Sequence, residues 1–288
     1  MLSDPIREAA PLLPLFVPAN RLDRLPRAAA SGADAVIIDL EDAVAETAKD
    51  EARAALVETL TGHQPQVPLL VRVNAVSTPH FAADLAAITA LPIAGIVLPK
   101  TEPDVDLAGL RASLGAGRVI VGLVETARGI AAARDLAFRV ERLAFGSIDY
   151  AAAIGMAHER EALLAARSEL VLAAALAEAP APLDGVTRRF DEPAPVQADA
   201  RHAAALGCGG KLLIHPVQIA PAIQGFAPDA HEVDRAREIL ARANGNASQQ
   251  GGAMIDRPVV EAAQRQVTAS EDAERRLAAI AERARSRA

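Results

Sequence analysis

The stretch AVIIDLEDAV, residues 35–44, brings four apolar residues directly up to a group of carboxylates. A continuous apolar run, without alternation, indicates a strand buried on both faces, as in a parallel sheet. Asp39, Glu41 and Asp42 stand at the end of that run. Because buried carboxylates are costly unless they are paired, the stretch predicts a buried parallel strand whose terminal charge is offset by other groups.

Similar apolar runs recur along the chain, and turn residues bound each of them. They begin at about residues 13, 35, 68, 94, 119, 142, 183 and 210. Alanine-rich segments with helical spacing lie between them, for example residues 22–31, 46–60, 80–90, 128–138, 160–178 and 196–206. Eight strand–helix units predict an α/β fold of the (β/α)8 TIM barrel type. An open doubly wound sheet is the alternative, but no G-x-G-x-x-G motif follows an early strand.

Composition narrows the class of protein further. The 288 residues are 51% hydrophobic but only 2% aromatic, and the formal net charge is −7. Without basic runs or aromatic platforms for bases, nucleic-acid binding is not expected. The single cysteine, Cys208, fits a reducing cytoplasm. The amino-terminal residues do not resemble a signal peptide, and no apolar run is long enough to predict a membrane span.

The carboxyl-terminal part differs from the barrel repeats. We expect residues 1–230 to form the barrel and residues 231–288 to form a separate extension. Residues 231–242 have helical spacing, residues 243–253 are polar and glycine-rich, and a charged, alanine-rich helix follows. The extension is too short for a core of its own, so it must pack on something else. Spacing alone favours a surface helix that closes the bottom of the barrel over a lid on an active site.

Polar residues gather where the predicted strands end, which is the active-site face of such a barrel. The residues at these strand ends are Asp39, Glu41, Asp42, Arg72, Asn74, Lys100, Glu125, Thr126, Arg128, Ser147, Asp149 and His215, with the apolar Pro99 before Lys100. Glu125 and Asp149 end successive strands, so their carboxylates could share Mg²⁺ and leave positions open for substrate oxygens. Arg72 offers a fork for a carboxylate or an oxyanion. Taken singly, such residues are more often helix caps or ion-pair partners. Their grouping favours a site.

With these residues in view, the sequence resembles a known family, the HpcH/HpaI aldolase/citrate lyase family. The motifs appear in the family's order from about residue 15 to about residue 260. They are LFVPAN, DAVIIDLEDAV, VRVN, VLPKTE, VGLVETARGI, LAFGSIDYAAAIG, LDGV, GKLLIHPVQI and AMIDRPVV. The resemblance implies a barrel with a carboxyl-terminal extension and Mg²⁺- or Mn²⁺-dependent cleavage of a carbon–carbon bond.

The resemblance also implies roles for individual residues. Glu125 and Asp149 would bind the metal, and Arg72 would contact the keto-acid part of the substrate. Glu41 and Asp42 would lie beside the metal and its waters. Asp256 would be the acid/base group, carried on the extension to an adjacent subunit. That role contradicts the surface-helix interpretation and implies a homo-oligomer, a homotrimer or a multiple of three.

The chain departs from the family pattern at two places. QQGGA, residues 249–253, stands where many relatives have an L-D-G-K-like stretch, and Tyr150 follows the metal aspartate where leucine is common. Both departures bear on substrate size and closure of the site. They do not touch the metal ligands.

A coenzyme A thioester requires a local basic patch, because the chain as a whole is acidic. Arg27 and Lys49 fall where relatives often have basic residues, near Arg21 and Arg24. Ordinary solvated helix charge is an equally good interpretation of these cations. Pro99 and His215, at the ends of the fourth and eighth runs, are assigned to the same coenzyme A contact.

The reaction expected from the resemblance is cleavage of a citramalyl-, malyl- or citryl-CoA type 3-hydroxyacyl thioester into acetyl-CoA and a keto acid. Three alternatives remain open at this point. The chain could be the citryl-acyl-carrier-protein lyase subunit of a citrate lyase complex, a class II aldolase that needs no coenzyme A, or a binding subunit without activity. Intact Glu125, Asp149, Arg72 and Asp256 argue against the last of these.

Overall fold

The computed structural model describes Ile6, residues 11–243 and residues 257–285. Its sheet has six parallel strands that follow one another in chain order. They are β1 Pro14–Pro18, β2 Ala35–Asp39, β3 Leu69–Arg72, β4 Gly95–Leu98, β5 Val119–Val124 and β6 Arg142–Phe145. Each strand begins within one residue of a predicted run, so the predicted α/β fold with parallel strands is confirmed.

The runs predicted at about residues 183 and 210 do not form continuous strands in the structure. They make isolated parallel bridges: Ala144 with Leu183, Asp184 with Lys211, Leu12 with Gly210, and Leu15 with Leu213. Gly210 has φ +152°, and a Cβ there would lie 2.0 Å from the carbonyl oxygen of Leu12. The close approach of these two backbones requires glycine. A path of bridges therefore leads from β6 through both segments to β1.

Helices alternate with the strands, as the alanine-rich segments predict. They are α1 Leu25–Ala29, α2 Lys49–Leu60, α3 Phe81–Ile88, α4 Leu107–Leu114, α5 Ala127–Ala131, α6 Ala133–Ala137, α7 Ser147–Ile154, α8 Leu164–Leu176, α9 Pro193–Leu206, α10 Ile219–Phe226, α11 Ala230–Ala243 and α12 Arg257–Arg285. Short 3₁₀ helices cover Ala19–Arg24, Glu46–Ala48 and Pro216–Gln218. The segment predicted as one helix at 128–138 is divided into α5 and α6 because Ala132 leaves helical geometry, with φ −101° and ψ 7°.

Two hydrophobic clusters lie on the two faces of the sheet. Val36 and Ile38 belong to the larger cluster, between the strands and the helices. Ile37, Leu70 and Val97 belong to the smaller one, together with side chains of β5, β6 and the two bridged segments. Successive residues of β2 thus point to opposite apolar layers, which explains why AVIID has no polar alternation.

The helix α12 packs across the amino-terminal ends of the strands. Its Arg276 donates to the carbonyl oxygen of Pro11, at 3.2 Å, and to Asp34 Oδ2, at 2.7 Å. Pro11 precedes β1 and Asp34 precedes β2, while Ile280 further along the helix lies against Gly32. The helix therefore covers the end of the sheet opposite to the carboxylate cluster. Among the described residues, no helix is both long and apolar enough to span a membrane.

Candidate active site

A cavity of about 490 Å³ opens at the carboxyl-terminal ends of the strands. Polar and apolar residues from β1, β2, β3, β5, β6 and the two bridged segments line it. They are Phe16, Pro18, Asp39, Asp42, Ala43, Arg72, Leu123, Glu125, Phe145, Gly146, Ser147, Ile148, Asp149, Val186, Leu212 and Ile214. Six of the predicted polar strand-end residues thus share one cavity, although more than 100 residues separate the first from the last along the chain.

Arg72 is held on two sides at the end of β3. Its Nε and Nη2 donate to the two oxygens of Asp39, at 2.7 and 2.6 Å. Its guanidinium carbon lies 5.0 Å from the centroid of the Phe16 ring, within reach of a cation–π contact. Nη1 is directed to Asp42 Oδ2, at 3.2 Å. Burial disfavours the charge, but the carboxylates outweigh burial and raise the pKa of Arg72, so the guanidinium stays ionised.

Glu41 lies between two cations. Its Oε1 accepts a hydrogen bond from Lys100 Nζ at 2.7 Å. Its Oε2 is buried without a hydrogen bond and lies 3.2 Å from Arg72 Nη1. Burial raises the pKa of Glu41, and the two neighbouring cations oppose that rise. Arg72 and Lys100 are therefore the described groups that offset the negative charge after β2.

Glu125, the residue after β5, is almost fully buried. Its Oε1 accepts the backbone N–H of Lys100 at 2.8 Å, and Lys100 Nζ lies 3.9 Å from the same oxygen. Burial, and then the nearby carboxylates of Glu41 and Asp149, raise the pKa of Glu125 to about 8. A Cβ on Gly146 would lie 2.3 Å from Glu125 Oε2, so glycine is required there for Glu125 to occupy this position.

Asp149 stands in the first turn of α7, which begins directly after β6. The neighbouring Ser147 Oγ is 2.9 Å from His158 Nε2, a contact that ties the start of α7 to the loop after it. Helix amino termini favour anionic groups, so the position suits a carboxylate. The fold therefore brings Asp149 to the wall of the cavity that Glu125 also lines.

These two carboxylates fit a hard divalent cation. Among the described residues, no group of three or more His, Cys, Asp or Glu side chains is close enough to hold a metal ion by itself. Mg²⁺ often takes one or two protein carboxylates and completes its shell with water and substrate oxygens. The raised pKa of Glu125 indicates that its negative charge is poorly compensated by the protein alone.

The four residues assigned to coenzyme A lie in different surroundings. Arg27 is exposed on α1, and Pro99 is buried directly after β4. Lys49 is buried, and its Nζ donates to the carbonyl oxygens of Leu40 and Glu41, at 2.9 and 3.0 Å. Lys49 therefore is not the surface cation expected from the sequence: it ties α2 to the end of β2.

His215 lies at an exposed aromatic patch. Its ring stacks on Phe190 with centroids 4.7 Å apart, and Phe190 is 49% exposed. Burial, followed by the charges of Arg27 and Arg24, lowers the pKa of His215. Asp256, the predicted acid/base group, lies outside the described residues.

Two residues at the site had no role in the sequence prediction. Asp39 had none assigned, and the structure pairs it with Arg72 across adjacent strands. Lys100 was noted only as a strand-end residue, yet it contacts both Glu41 and Glu125. Its backbone has φ 48°, a left-handed conformation unusual for lysine, and no sequence pattern indicates that.

Comparison with known proteins identifies the family. The model of the HpcH/HpaI aldolase/citrate lyase family matches residues 13–216, and this chain belongs to that family. The family predicted from the motifs is thus confirmed. The two activities in its name, aldolase and citrate lyase, both act on carbon–carbon bonds.

Individual relatives match along most of their length. A citrate lyase subunit beta-like protein from Deinococcus radiodurans is 36% identical over 265 residues, which cover 85% of this chain and 92% of that protein. A (3S)-malyl-CoA thioesterase from Cereibacter sphaeroides is 33% identical, covering 86% of this chain and 88% of that protein. A crystal structure of CitE from Mycobacterium tuberculosis, in complex with magnesium, acetoacetate and coenzyme A, is 32% identical with a TM-score of 0.79 and covers 91% of this chain and 99% of that chain.

Proposed function

We propose that this protein is a Mg²⁺-dependent carbon–carbon lyase that cleaves a 3-hydroxyacyl-CoA thioester into acetyl-CoA and a keto acid. The observation that carries the proposal is the shared cavity of Glu125, Asp149 and Arg72. Two carboxylates for a cation and one guanidinium for an anion are what a chelated hydroxy acid requires.

Glu125 and Asp149 would hold the metal. Once bound, Mg²⁺ would supply Lewis-acid chemistry at the substrate's hydroxyl oxygen and lower the pKa of that hydroxyl group. The protein provides the ligands in a place where burial and neighbouring carboxylates leave Glu125 with a raised pKa. Glu41, which contacts Lys100 and Arg72, would hold water beside the metal, together with Asp42.

The chain's own residues account for binding the substrate and moving its protons. Arg72 would bind the carboxylate of the keto-acid part and offset negative charge that develops as the carbon–carbon bond breaks. A base removes the proton of the hydroxyl group, the carbon–carbon bond breaks to leave the keto acid, and the thioester half leaves as an enolate whose carbon Asp256 would protonate. In the reverse direction Asp256 would remove a proton from acetyl-CoA.

The placement of α12 supports an assembly of several copies. The helix starts at Arg257, directly after Asp256, and packs across the amino-terminal ends of its own strands. The cavity lies at the opposite ends. Both positions are accommodated if Asp256 reaches the cavity of a neighbouring subunit. Residues 1–230 would then form an eight-stranded (β/α)8 barrel, and residues 231–288 would form the extension that bridges two subunits. A homotrimer, or a multiple of three, would complete each site.

The patch around His215 suits the nucleotide end of coenzyme A. The Phe190–His215 stack offers an aromatic face for adenine, and Arg24 and Arg27 carry positive charge beside it. Ile214, next to His215, lines the cavity, so a thioester could reach from this patch to Arg72. The magnesium, acetoacetate and coenzyme A in the CitE structure support the same pairing of ligands.

One assay tests the proposal. Purified protein with Mg²⁺ is given citramalyl-CoA, malyl-CoA and citryl-CoA, and acetyl-CoA, keto acid and free coenzyme A are quantified, with EDTA as the matched control. We expect equal amounts of acetyl-CoA and keto acid from one substrate, and none with EDTA. Release of free coenzyme A with the intact hydroxy acid would indicate thioester hydrolysis, as in the name of one relative. Release of keto acid from a free hydroxy acid would indicate an aldolase.

A further inference from the structure

The carboxylate of Asp39 accepts hydrogen bonds from both a side chain and the backbone at the end of β2. It is 2% exposed, and it accepts four hydrogen bonds. Two come from Arg72 Nε and Nη2, and two come from the backbone N–H groups of Glu41 and Ala43, at 2.9 and 3.1 Å. We propose that Asp39 is a positioning residue, which fixes the direction of the Arg72 guanidinium and the turn that carries Glu41 and Asp42.

The geometry of Arg72 supports this role. The bidentate contact with Asp39 and the Phe16 ring against the guanidinium together remove the freedom to rotate. Nη1 faces Glu41 Oε2 and the exposed carboxylate of Asp42, each at 3.2 Å, and Asp42 lines the cavity together with Arg72. An incoming substrate carboxylate would therefore meet an edge of Arg72 whose direction is already set.

The contact between Asp39 and Arg72 follows from the register of β2 against β3. Asp39 and Arg72 are paired residues at the ends of β2 and β3, so their side chains leave neighbouring positions. The same carboxylate holds the first residues after β2 through backbone N–H groups. Asp39 thus links the anion-binding guanidinium to the acidic turn, and displacement of one would displace the other.

This inference rests on the proposed function only for the identity of the bound anion. Its test measures oxaloacetate binding by calorimetry in Mg²⁺, for wild type and for Asp39→Asn. Asparagine has a similar shape but presents an amide in place of one carboxylate oxygen, and it cannot accept all four hydrogen bonds. We expect the dissociation constant to rise about tenfold or more, and kcat/KM with the acyl-CoA to fall by up to about 10²-fold.

Asp34→Asn is the matched control. Asp34 is also paired with an arginine, Arg276, and also accepts a backbone N–H, that of Leu13, but it lies at the amino-terminal ends of the strands. We expect Asp34→Asn to leave the oxaloacetate affinity unchanged. A similar loss of affinity in both variants would mean that a general structural defect explains the effect, and would overturn the inference.

A double-mutant cycle separates positioning from any other role of Asp39. If Asp39 acts chiefly through Arg72, Asp39→Asn should have a much smaller effect on oxaloacetate affinity in an Arg72→Ala background, where only its hydrogen bonds to the turn remain to be lost. An undiminished effect there would overturn the inference. Asp39→Glu keeps the charge but lengthens the side chain, so it should also weaken binding. Wild-type affinity in Asp39→Glu would overturn the role as well.

A readout without ligand distinguishes this inference from the proposed function. In wild type the Nε–H of Arg72 should give a slowly exchanging ¹⁵N side-chain NMR signal, which Asp39→Asn should lose and Asp34→Asn should retain. The signal must change even if the protein cleaves none of the three thioesters, whereas the proposed function fails on that assay alone. A signal equally protected in Asp39→Asn would overturn the positioning role.

Discussion

Two glutamates at opposite ends of the β5–β6 pair have contrasting surroundings. Glu141, at the amino-terminal end, forms an ion pair with Arg111 and accepts the backbone N–H of Ile120 at 2.8 Å. Glu125, at the carboxyl-terminal end, is close to the carboxylates of Glu41 and Asp149, and its pKa is raised to about 8. Both are acids next to the same strands, but only one has a surplus of negative charge around it.

The difference extends to other charges at the two ends. At the amino-terminal end, the fully buried Arg142 donates to the carbonyl oxygens of Ile6, Ala181 and Gly209, and Asp34 pairs with Arg276. These contacts join separate segments of the chain. At the carboxyl-terminal end, carboxylates outnumber the cations that contact them. Stability requires the first arrangement, whereas binding of a cation requires the second.

The largest effect should come from exchanging each glutamate for glutamine. Glu125→Gln removes a proposed metal ligand, so the lyase kcat/KM should fall by about 10³-fold or more. Glu141→Gln should keep most of the activity, although it should lower the unfolding free energy. Steady-state kinetics with Mg²⁺ measure the activity of both variants, and calorimetric titration with Mg²⁺ measures the loss of the metal ligand. Full activity in Glu125→Gln would contradict the contrast between a metal-binding Glu125 and a structural Glu141.

A methyl group beside Glu125 should have the next largest effect. In Gly146→Ala the new Cβ would overlap Glu125 Oε2 at 2.3 Å, so the carboxylate must move. We expect kcat/KM to fall by about 10²-fold. Gly122→Ala is the matched control, because its nearest contacts, the side chains of Thr101 and Val140, are 3.3 Å away. Equal kinetics for both alanine variants would contradict the requirement for glycine at position 146.

The raised pKa of Glu125 gives stability a pH dependence in the absence of metal. Its ordinary pKa is 4.5 and its folded value about 8, so the folded protein holds a proton that the unfolded chain releases between these values. The stability contribution is present below pH 4.5 and is lost as the pH rises through 8. Urea unfolding in EDTA should therefore show a loss on the order of 3 kcal/mol between about pH 5.5 and about pH 8.5.

Glu125→Gln supplies the control for this pH dependence, because glutamine does not titrate. Its unfolding free energy should vary less with pH over the same interval. Wild type and variant with the same slope would show that another group is responsible. Glu41, whose pKa is also raised by burial, is the nearest candidate.

The smallest effects are expected at Arg27 and Lys49, two cations that the sequence assigns to the same coenzyme A contact. Arg27→Ala should raise the KM for the acyl-CoA by about three- to fivefold at low salt, and added salt should abolish the difference. Lys49→Ala removes two buried hydrogen bonds to carbonyl groups. It should lower the unfolding free energy by about 1–3 kcal/mol without a salt-dependent change in KM. A salt-dependent KM in Lys49→Ala would support its assignment to coenzyme A.

The sequence predicts the strands well because apolar runs record burial directly. AVIID at residues 35–39 and VIVGLV at 119–124 coincide with β2 and β5. The runs at about residues 183 and 210 were predicted as strands, but they pair only at isolated positions. Hydrophobicity indicates that such a segment is buried, and it does not indicate how many backbone hydrogen bonds the segment makes.

Contacts between side chains were less predictable. That Glu125, Asp149 and Arg72 share a cavity follows from the ends of parallel strands lying together. The pairing of Asp39 with Arg72 depends on the register of β2 against β3. The position of Lys100 depends on a left-handed backbone conformation at a residue that rarely adopts one. Neither property is encoded in residue type or spacing.

The position of α12 has a consequence for how this protein must be handled. Its Arg276 and Ile280 lie against the amino-terminal ends of the strands that belong to the same chain, and the helix also packs on α10 and α11. If the residue before this helix serves a neighbouring cavity, a protomer in isolation is catalytically incomplete even when it is fully folded. Specific activity should then fall on dilution below the dissociation constant of the assembly and recover on concentration. Two inactive variants, one altered at position 125 and the other at position 256, should regain part of their activity when mixed.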